Sequence, residues 1–502
     1  MGSWRPPPHT RQPTAMSARV RMMHTTCHTI QARTQRAVLW LITILALSPT
    51  VGCGGCATSP PEPPRSTRPT HPNDPHPTSE PPLEPCGEGP CGPTSLPSDK
   101  PYPDRYLHAA TPLVGDKLLI TGGYTLDAQR RGALASTLLL NLRSDRSEPT
   151  AALTYKRWGH TATLLPDGSV LVVGGSMDDP ERSPFRQAPP ELWSQTPQGP
   201  SWRERLPPWK GRLRHTATLL PDGSVLVLGG AASYEESLRL PERYDPVNNT
   251  WTRLTEDHVP RYDHTATLLQ DGSVLVLGGR HGTGCGEDCA IDCLEDMDCG
   301  QGAVCADEFY CTRPLRSAAL YAPDTDTWTR LPELPEPSYD HTATLLTDGS
   351  VLVTGGRNGA GALKGAYLFD LGLRSWTRVA PMTSARAGHT ATKRPDGQVW
   401  VVGGRAPIQG EACDDGNPCP SDRLFNVLAH VEVYDPTTRA WRSTTPLNRA
   451  RYDHTATLLS TGELITWGGA THKRAAVLGG ERSSQPERWT VIPHLTPTRA
   501  KP

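Results

Sequence analysis

Several things are missing from this 502-residue chain. It has no excess of one charge: the formal net charge is −1 and the pI about 7.0. That removes the basic footprint of a nucleic-acid binder. It has no apolar run long enough to cross a bilayer comfortably, since Ala37–Leu47 is too short. Lysine is sparse beside arginine, which reads as genome composition rather than function. No Ser-His-Asp arrangement, nucleophile elbow or phosphate-binding loop stands in the sequence. From the residues alone no cofactor and no metal is expected.

What is abundant is repetition. His160–Gly175 reads HTATLLPDGSVLVVGG, and it returns almost letter for letter as His215–Gly230, His264–Gly279, His341–Gly356 and His389–Gly404. Frayed copies stand at His108–Gly123 and His454–Gly469. The closing glycines are spaced by 48 to 65 residues, except for one longer interval that contains an insertion. A period near fifty belongs to propellers, solenoids or arrays.

Each unit reads as four short strands. His-Thr-Ala-Thr-Leu-Leu is the first, its small alternating residues suited to a crowded axis. Asp-Gly then predicts a two-residue type I′ hairpin turn. Ser-Val-Leu-Val-Leu is continuously apolar, as a strand covered on both faces must be. The double glycine ends it. A third strand ends in Tyr244-Asp-Pro, Tyr321-Ala-Pro or Tyr434-Asp-Pro, where proline stops ladder pairing. Seven residues beyond each tyrosine comes Trp251, Trp328 or Trp441, and Trp202, Trp376 and Trp489 are expected in the same place elsewhere.

The double glycine, tyrosine and tryptophan at fixed spacing resemble the kelch repeat, over about residues 101–497. The resemblance implies an all-β fold, a kelch β-propeller of four-stranded blades. Seven copies imply seven blades, with six as runner-up. The first repeat departs from the pattern in lacking the Tyr and Trp, and the last departs from it at the third strand.

The organisation expected is a signal peptide with an N-terminal extension at 1–52, a Pro-rich disordered linker at 53–103 and the propeller at 104–497. The basic flank and short apolar run make a signal peptide. Thr50-Val-Gly-Cys53 resembles a bacterial lipobox, which would make Cys53 the lipidated N-terminus, and the long region before the apolar run makes Met16, Met22 or Met23 alternative starts. The Pro-rich stretch is expected as an extended stalk. Cysteines favour an oxidising compartment. Cys285, Cys289, Cys293, Cys299, Cys305 and Cys311 crowd one insert at 284–312, Cys413 and Cys419 a second at 408–426, and Cys86 and Cys91 the stalk. All ten are disulfide candidates. Zinc spacing is lacking; the acidic residues of the first insert leave calcium open. The inserts resemble Cys-rich segments of exported proteins from myxobacteria-like genomes.

The recurring histidine is expected to pack between blades, bonded to a neighbouring blade's backbone or to the Asp of Tyr-Asp-His. An arginine stands three residues before it in six repeats, often followed by an aromatic. Two readings are open for these positions: a ring of inter-blade Arg–Asp pairs, or partner binding through Arg157, Trp158, Arg261, Tyr262, Tyr339, Arg451 and Tyr452. The function expected is a non-enzymatic binding or adhesion module for a protein or carbohydrate, lipid-anchored at the outer membrane or cell surface. The alternative is a copper enzyme of galactose-oxidase type, which the resemblance ties to a cross-linked tyrosine and cysteine near two histidines outside the repeat.

Overall fold

The computed structural model describes residues 94–95, 105–125, 131–144, 146–177, 186–233, 236–282, 304–306, 310–407, 425–471 and 487–489. They belong to the second of two units of the chain, Glu84–Pro502, the first being Met1–Leu83. The expected signal peptide, Cys53, Cys86, Cys91, Cys285, Cys289, Cys293, Cys299, Cys413 and Cys419 lie outside the described residues.

Among the described residues every regular element is a strand, and the fold is an all-β propeller. Six blades are each one stretch of chain in which neighbouring strands pair antiparallel. The third blade is representative: Thr216–Leu219, Val225–Leu228, Glu242–Asp245 and Thr250–Arg253. A further four-stranded sheet joins the two ends: Thr455–Leu458, Leu464–Trp467 and Glu487–Trp489 are completed by Thr94–Ser95. Residues 94–95 therefore extend the folded ring back into the stretch expected to be linker. Each first strand neighbours the first strands of the blades on either side, and that of the last sheet returns to Ala109–Leu113 of the first blade. The first strands thus line the axis.

The apolar second strands are buried along their whole length, Val170–Val173, Val225–Leu228 and Val274–Leu277 among them. Blades meet through these faces. Leu171, Val173 and Leu192 of one pack on Val225, Val227 and Tyr244 of the next. Opposite Tyr244 stands Trp251, their ring centroids 4.9 Å apart, and Tyr321–Trp328 repeats this pair. The indole Nε1 of Trp251 donates to the Leu206 carbonyl at the exit of the preceding blade, 2.7 Å away. Trp202 and Trp376 serve the same way. Trp489 stands in a different register place: its partner is Leu464 of the second strand, as the tyrosine's partner is in the other blades.

The Asp-Gly turns also differ from expectation. Asp167 keeps a negative φ while Gly168 is at +82°. The Gly168 amide donates to Leu165 O, and the Leu165 amide to Ser169 O. This is a type I turn with a glycine bulge. Asp167 Oδ1 caps it by accepting from the amide and hydroxyl of Ser169.

Candidate functional site

Three layers of repeat residues surround the axis. In the first, each histidine reaches the preceding blade. Its Nε2 pairs with a threonine hydroxyl at 2.9–3.1 Å: His215 with Thr161, His264 with Thr216, His341 with Thr265, and around to His108 with Thr455. The rings pack against the first glycine of the preceding blade's pair. A Cβ on Gly229 would stand 2.7 Å from His264 Cε1 and 2.5 Å from Arg261 O, at a φ of +56°. Burial holds the imidazoles neutral, with pKa values near 3 for His108, His215 and His389 and near 4 for His341. The partner is a threonine side chain rather than a backbone group or the preceding aspartate.

In the second layer the arginine three residues upstream donates through NH1 to the first glycine's carbonyl of its own blade, as Arg157 to Gly174 O and Arg451 to Gly468 O, both 2.8 Å. Its NH2 meets a fully buried glutamate in three blades: Arg157–Glu191, Arg212–Glu242 and Arg386–Glu432. Arg261 instead pairs with Asp257 at 2.9 Å. These ion pairs lie within blades, not between them. All seven side chains expected to bind a partner, Arg157, Trp158, Arg261, Tyr262, Tyr339, Arg451 and Tyr452, are at most 5% exposed. The arginines are held by their own blades and the aromatics are covered, so none stands out as a surface anchor.

The third layer is a collar formed by the residue before each histidine: Leu107, Gly159, Arg214, Asp263, Asp340, Gly388 and Asp453. All seven have a left-handed φ between 50° and 65°. Successive members are linked by backbone hydrogen bonds from each amide to the preceding carbonyl, from Gly159 N to Leu107 O through to Asp453 N to Gly388 O. Because the collar precedes the first strands, it sits at the end of the axis where the second strands finish. There the residues after three double glycines, Arg280, Arg357 and Arg405, join it.

The result is a charged mouth. Asp263 accepts from Arg214 at 3.0 Å and Arg280 at 2.8 Å, and Asp340 from Arg405 at 3.3 Å. Arg280 lies between the Tyr262 and Tyr339 rings, 4.8 and 4.7 Å from their centroids. Arg357 donates to the Tyr339 hydroxyl, 2.6 Å away. Burial would raise the Asp340 pKa, but Arg405, Arg280, Arg357 and Arg214 hold it below the usual range. Asp453 differs. It is half-buried against Gly388, and no hydrogen bond to its carboxylate is made among the described residues. Burial pushes its pKa up to about 6, against the pull of Arg405 and with the help of Asp340. A carboxylate poised there can take a proton near neutrality. Tyr106, Leu107 and Gly159 give the opposite side of the mouth an apolar, half-buried lining.

Sequence reasoning singled out Tyr262, Tyr339 and Tyr452 but missed the ionic cluster beside them. Its signal was legible: Gly-Gly-Arg three times in succession and Tyr-Asp-His three times.

Residues 212–257 and 341–383 match the family model of the Kelch motif. The propeller carries Kelch motifs at these two places. Its blades are similar to parts of curated proteins: 30% identical over 143 residues to Kelch-like protein 34 of Homo sapiens, and 31% identical over 110 residues to Aldehyde oxidase GLOX of Vitis pseudoreticulata. These alignments take in 28% and 21% of this chain and only 20% and 19% of those proteins. Among solved structures, the propeller is similar to a fungal alcohol oxidase of the AA5 family in complex with copper. The TM-score is 0.54 at 18% identity, over 77% of this chain and 74% of the other, which is a likeness of fold. The expectation that this propeller is not an enzyme is corrected by these two oxidases, which put enzymes among the proteins it resembles.

The copper itself does not fit the described residues. The seven repeat histidines stand one per blade, each with its Nε2 on a threonine hydroxyl. Among the described residues no three His, Cys, Asp or Glu side chains come together to hold a metal ion. The described cysteines, Cys305 and Cys311, are register partners in an insert hairpin.

Proposed function

We propose that this kelch propeller is an enzyme that binds a small hydroxyl-bearing molecule at the axial mouth, where Asp453 accepts a proton from it. The observation that carries this reading is the Asp453 carboxylate, uncommitted among the described residues while its neighbours Asp263 and Asp340 are held by arginines. A rigid ring supplies the support such a group needs, since the collar residues are tied to one another through the backbone. Arg405 stands within electrostatic reach of Asp453 and can orient an oxygen of the ligand. We read the sheet that joins the two chain ends as the seventh blade, so the mouth is closed all round.

The test is incubation of the purified chain with a panel of sugars, polyols and their aldehydes, with product analysis and binding calorimetry. Asp453→Asn is expected to fold and still bind while losing turnover. Unchanged turnover in that variant would remove Asp453 from the chemistry.

A second reading, oxidation by a bound copper as in the alcohol oxidase of similar fold, is favoured by that likeness and by the aldehyde oxidase match. Copper at one atom per chain together with oxygen uptake on alcohols would favour it over acid–base chemistry. Envelope location belongs to the proposal as well: a signal peptide, lipidation at Cys53 and the Pro-rich segment as spacer. Replacing Cys53 by Ser should release the protein from membranes; membrane retention without that cysteine would refute the anchor.

A further inference from the structure

Three blades bury a glutamate against their arginine, and the fourth does not. Glu191, Glu242 and Glu432 stand opposite Val172, Val227 and Val401 of the second strands, and each accepts from the arginine's NH2. With its other oxygen each accepts from the amide three residues before that arginine, Thr154, Trp209 or Thr383, at 2.6–2.7 Å. The fourth blade comprises Thr265–Leu268, Val274–Leu277, Ala318–Ala322 and Thr327–Leu331, and there Ala319 stands opposite Val276. The two donors remain. Arg261 keeps its NH1 on the first glycine's carbonyl, Gly278 O at 3.2 Å, so its NH2 points as in the other blades. That NH2 is buried without a hydrogen-bond partner. The amide of His258, three residues upstream, also donates to no group among the described residues. Asp257 serves neither of them, because its carboxylate takes Arg261 Nε at 2.9 Å and the Val259 amide at 3.2 Å.

Beside Ala319 is a cavity of about 160 Å³ whose lining includes Asp257, His258, Arg261, Ala318 and Leu331. Arg330 and Glu333 line it too, and with His258 they are exposed, so it is open to solvent. Its volume suits a fragment of a few heavy atoms rather than a drug-sized ligand. Two orphaned donors in a buried place gain from an acceptor that reaches both. In three blades that acceptor is the carboxyl beyond a glutamate's Cβ. Alanine keeps the Cβ, and what it lacks is a CH2 and a carboxyl group, the heavy atoms of acetic acid. We propose that the fourth-blade cavity binds a short-chain carboxylic acid, acetic or propionic, whose carboxyl takes the glutamate's place on Arg261 and His258 with its tail toward Ala319. Asp257 already answers the charge of Arg261, so the guest enters with its proton, which it shares with the Asp257 carboxylate. The charged and titratable groups facing the cavity are Asp257, His258, Arg261, Arg330 and Glu333. Binding tightens as the pH falls. The site is independent of the axial mouth and of the chemistry proposed there.

Saturation-transfer NMR on the full chain with acetate tests this, read at the acetate methyl. Saturation is expected at about pH 6, with affinity at least about tenfold weaker at about pH 8, because the acid form is depleted about tenfold per pH unit above its pKa. Propionate should displace the acetate and acetamide should not. Ala319→Gln puts a carboxamide into the cavity; it should abolish the signal and raise the melting temperature. Asp257→Asn should bind acetate at both pH values and lose the dependence. Should that variant fail to fold, Ala319→Gln still decides. No saturation by the unaltered chain at either pH would overturn the proposal. A signal that survives in Ala319→Gln would overturn it too, by moving the acetate elsewhere on the ring. Displacement by acetamide as effective as by propionate would replace the acid with a neutral amide. Turnover dependent on Asp453 should be unchanged in Ala319→Gln, so failure here leaves the axial mouth as it stands.

Discussion

The histidine layer and the mouth lie one residue apart along the chain, yet they differ in kind. His108, His160, His215, His264, His341, His389 and His454 all do the same thing in every blade, each joined to a threonine hydroxyl of the blade before. The collar residues immediately before them share a backbone conformation, but their side chains are Leu, Gly, Arg, Asp, Asp, Gly and Asp. Where the ring demands one geometry, one residue type recurs. Where only the backbone is constrained, side chains are free to diverge and carry individual chemistry. Repetition therefore marks packing here, and departure from it marks the site.

Acid is expected to break the repeated layer most strongly. The histidines are neutral when folded and have depressed pKa values, so the unfolded chain binds protons first. Their contribution is intact above the unfolded pKa of about 6.5 and is lost progressively as the pH falls towards 3–4. Each should cost on the order of 1 kcal/mol or more at about pH 5, summed over the ring. Thermal unfolding against pH checks it. A His264→Gln variant should show a shallower acid slope, and an unchanged slope would mean that the rings are not the groups titrating.

A single arginine sharpens the contrast next. Arg212→Ala leaves Glu242 buried and unpaired and should cost about 3–5 kcal/mol in urea unfolding. Arg405→Gln, at the half-buried mouth, should cost about 1 kcal/mol or less. Equal losses would erase the distinction between scaffold and site. Glycines separate the layers in the same way. Gly174→Ala brings a Cβ to 2.2 Å from Arg212 O, which is backbone and cannot yield, whereas at Gly159 nothing lies nearer than 3.9 Å. Gly159→Ala should cost only the left-handed φ, about 1–2 kcal/mol, and Gly174→Ala clearly more. The smallest effect is expected at the periphery. Trp251→Phe removes one exposed hydrogen bond to Leu206 O, worth about 0.5–1.5 kcal/mol, and should leave ligand binding unchanged.

Much of the scaffold was legible before any coordinates. The apolar VLVL segment after Asp-Gly could only be a covered strand, and a residue present in every copy had to serve every blade. The sequence also showed that Tyr and Trp stand a fixed seven residues apart, which the cross-strand pair Tyr244–Trp251 turns into one contact. Some local details were not legible. Asp-Gly looks the same in a two-residue turn and in a bulged one, because only the backbone angle of the first residue separates them. Trp489 and Trp251 carry the same letter, and only strand register tells their places apart. The Arg and Tyr positions looked like surface anchors because both residue types favour interfaces, while their burial depends on neighbours tens of residues away.

By itself, then, the chain's alphabet determined the period, the strand pattern and the identity of the packing residues, since these are properties of each repeat alone. The ring closure of Thr94–Ser95 against Glu487–Trp489 was decided by tertiary structure, being a pairing of chain ends. So was the mouth. Arg214, Asp263, Arg280, Asp340, Arg357, Arg405 and Asp453 span almost 240 residues of sequence, and only a closed ring brings such distant charges to one opening.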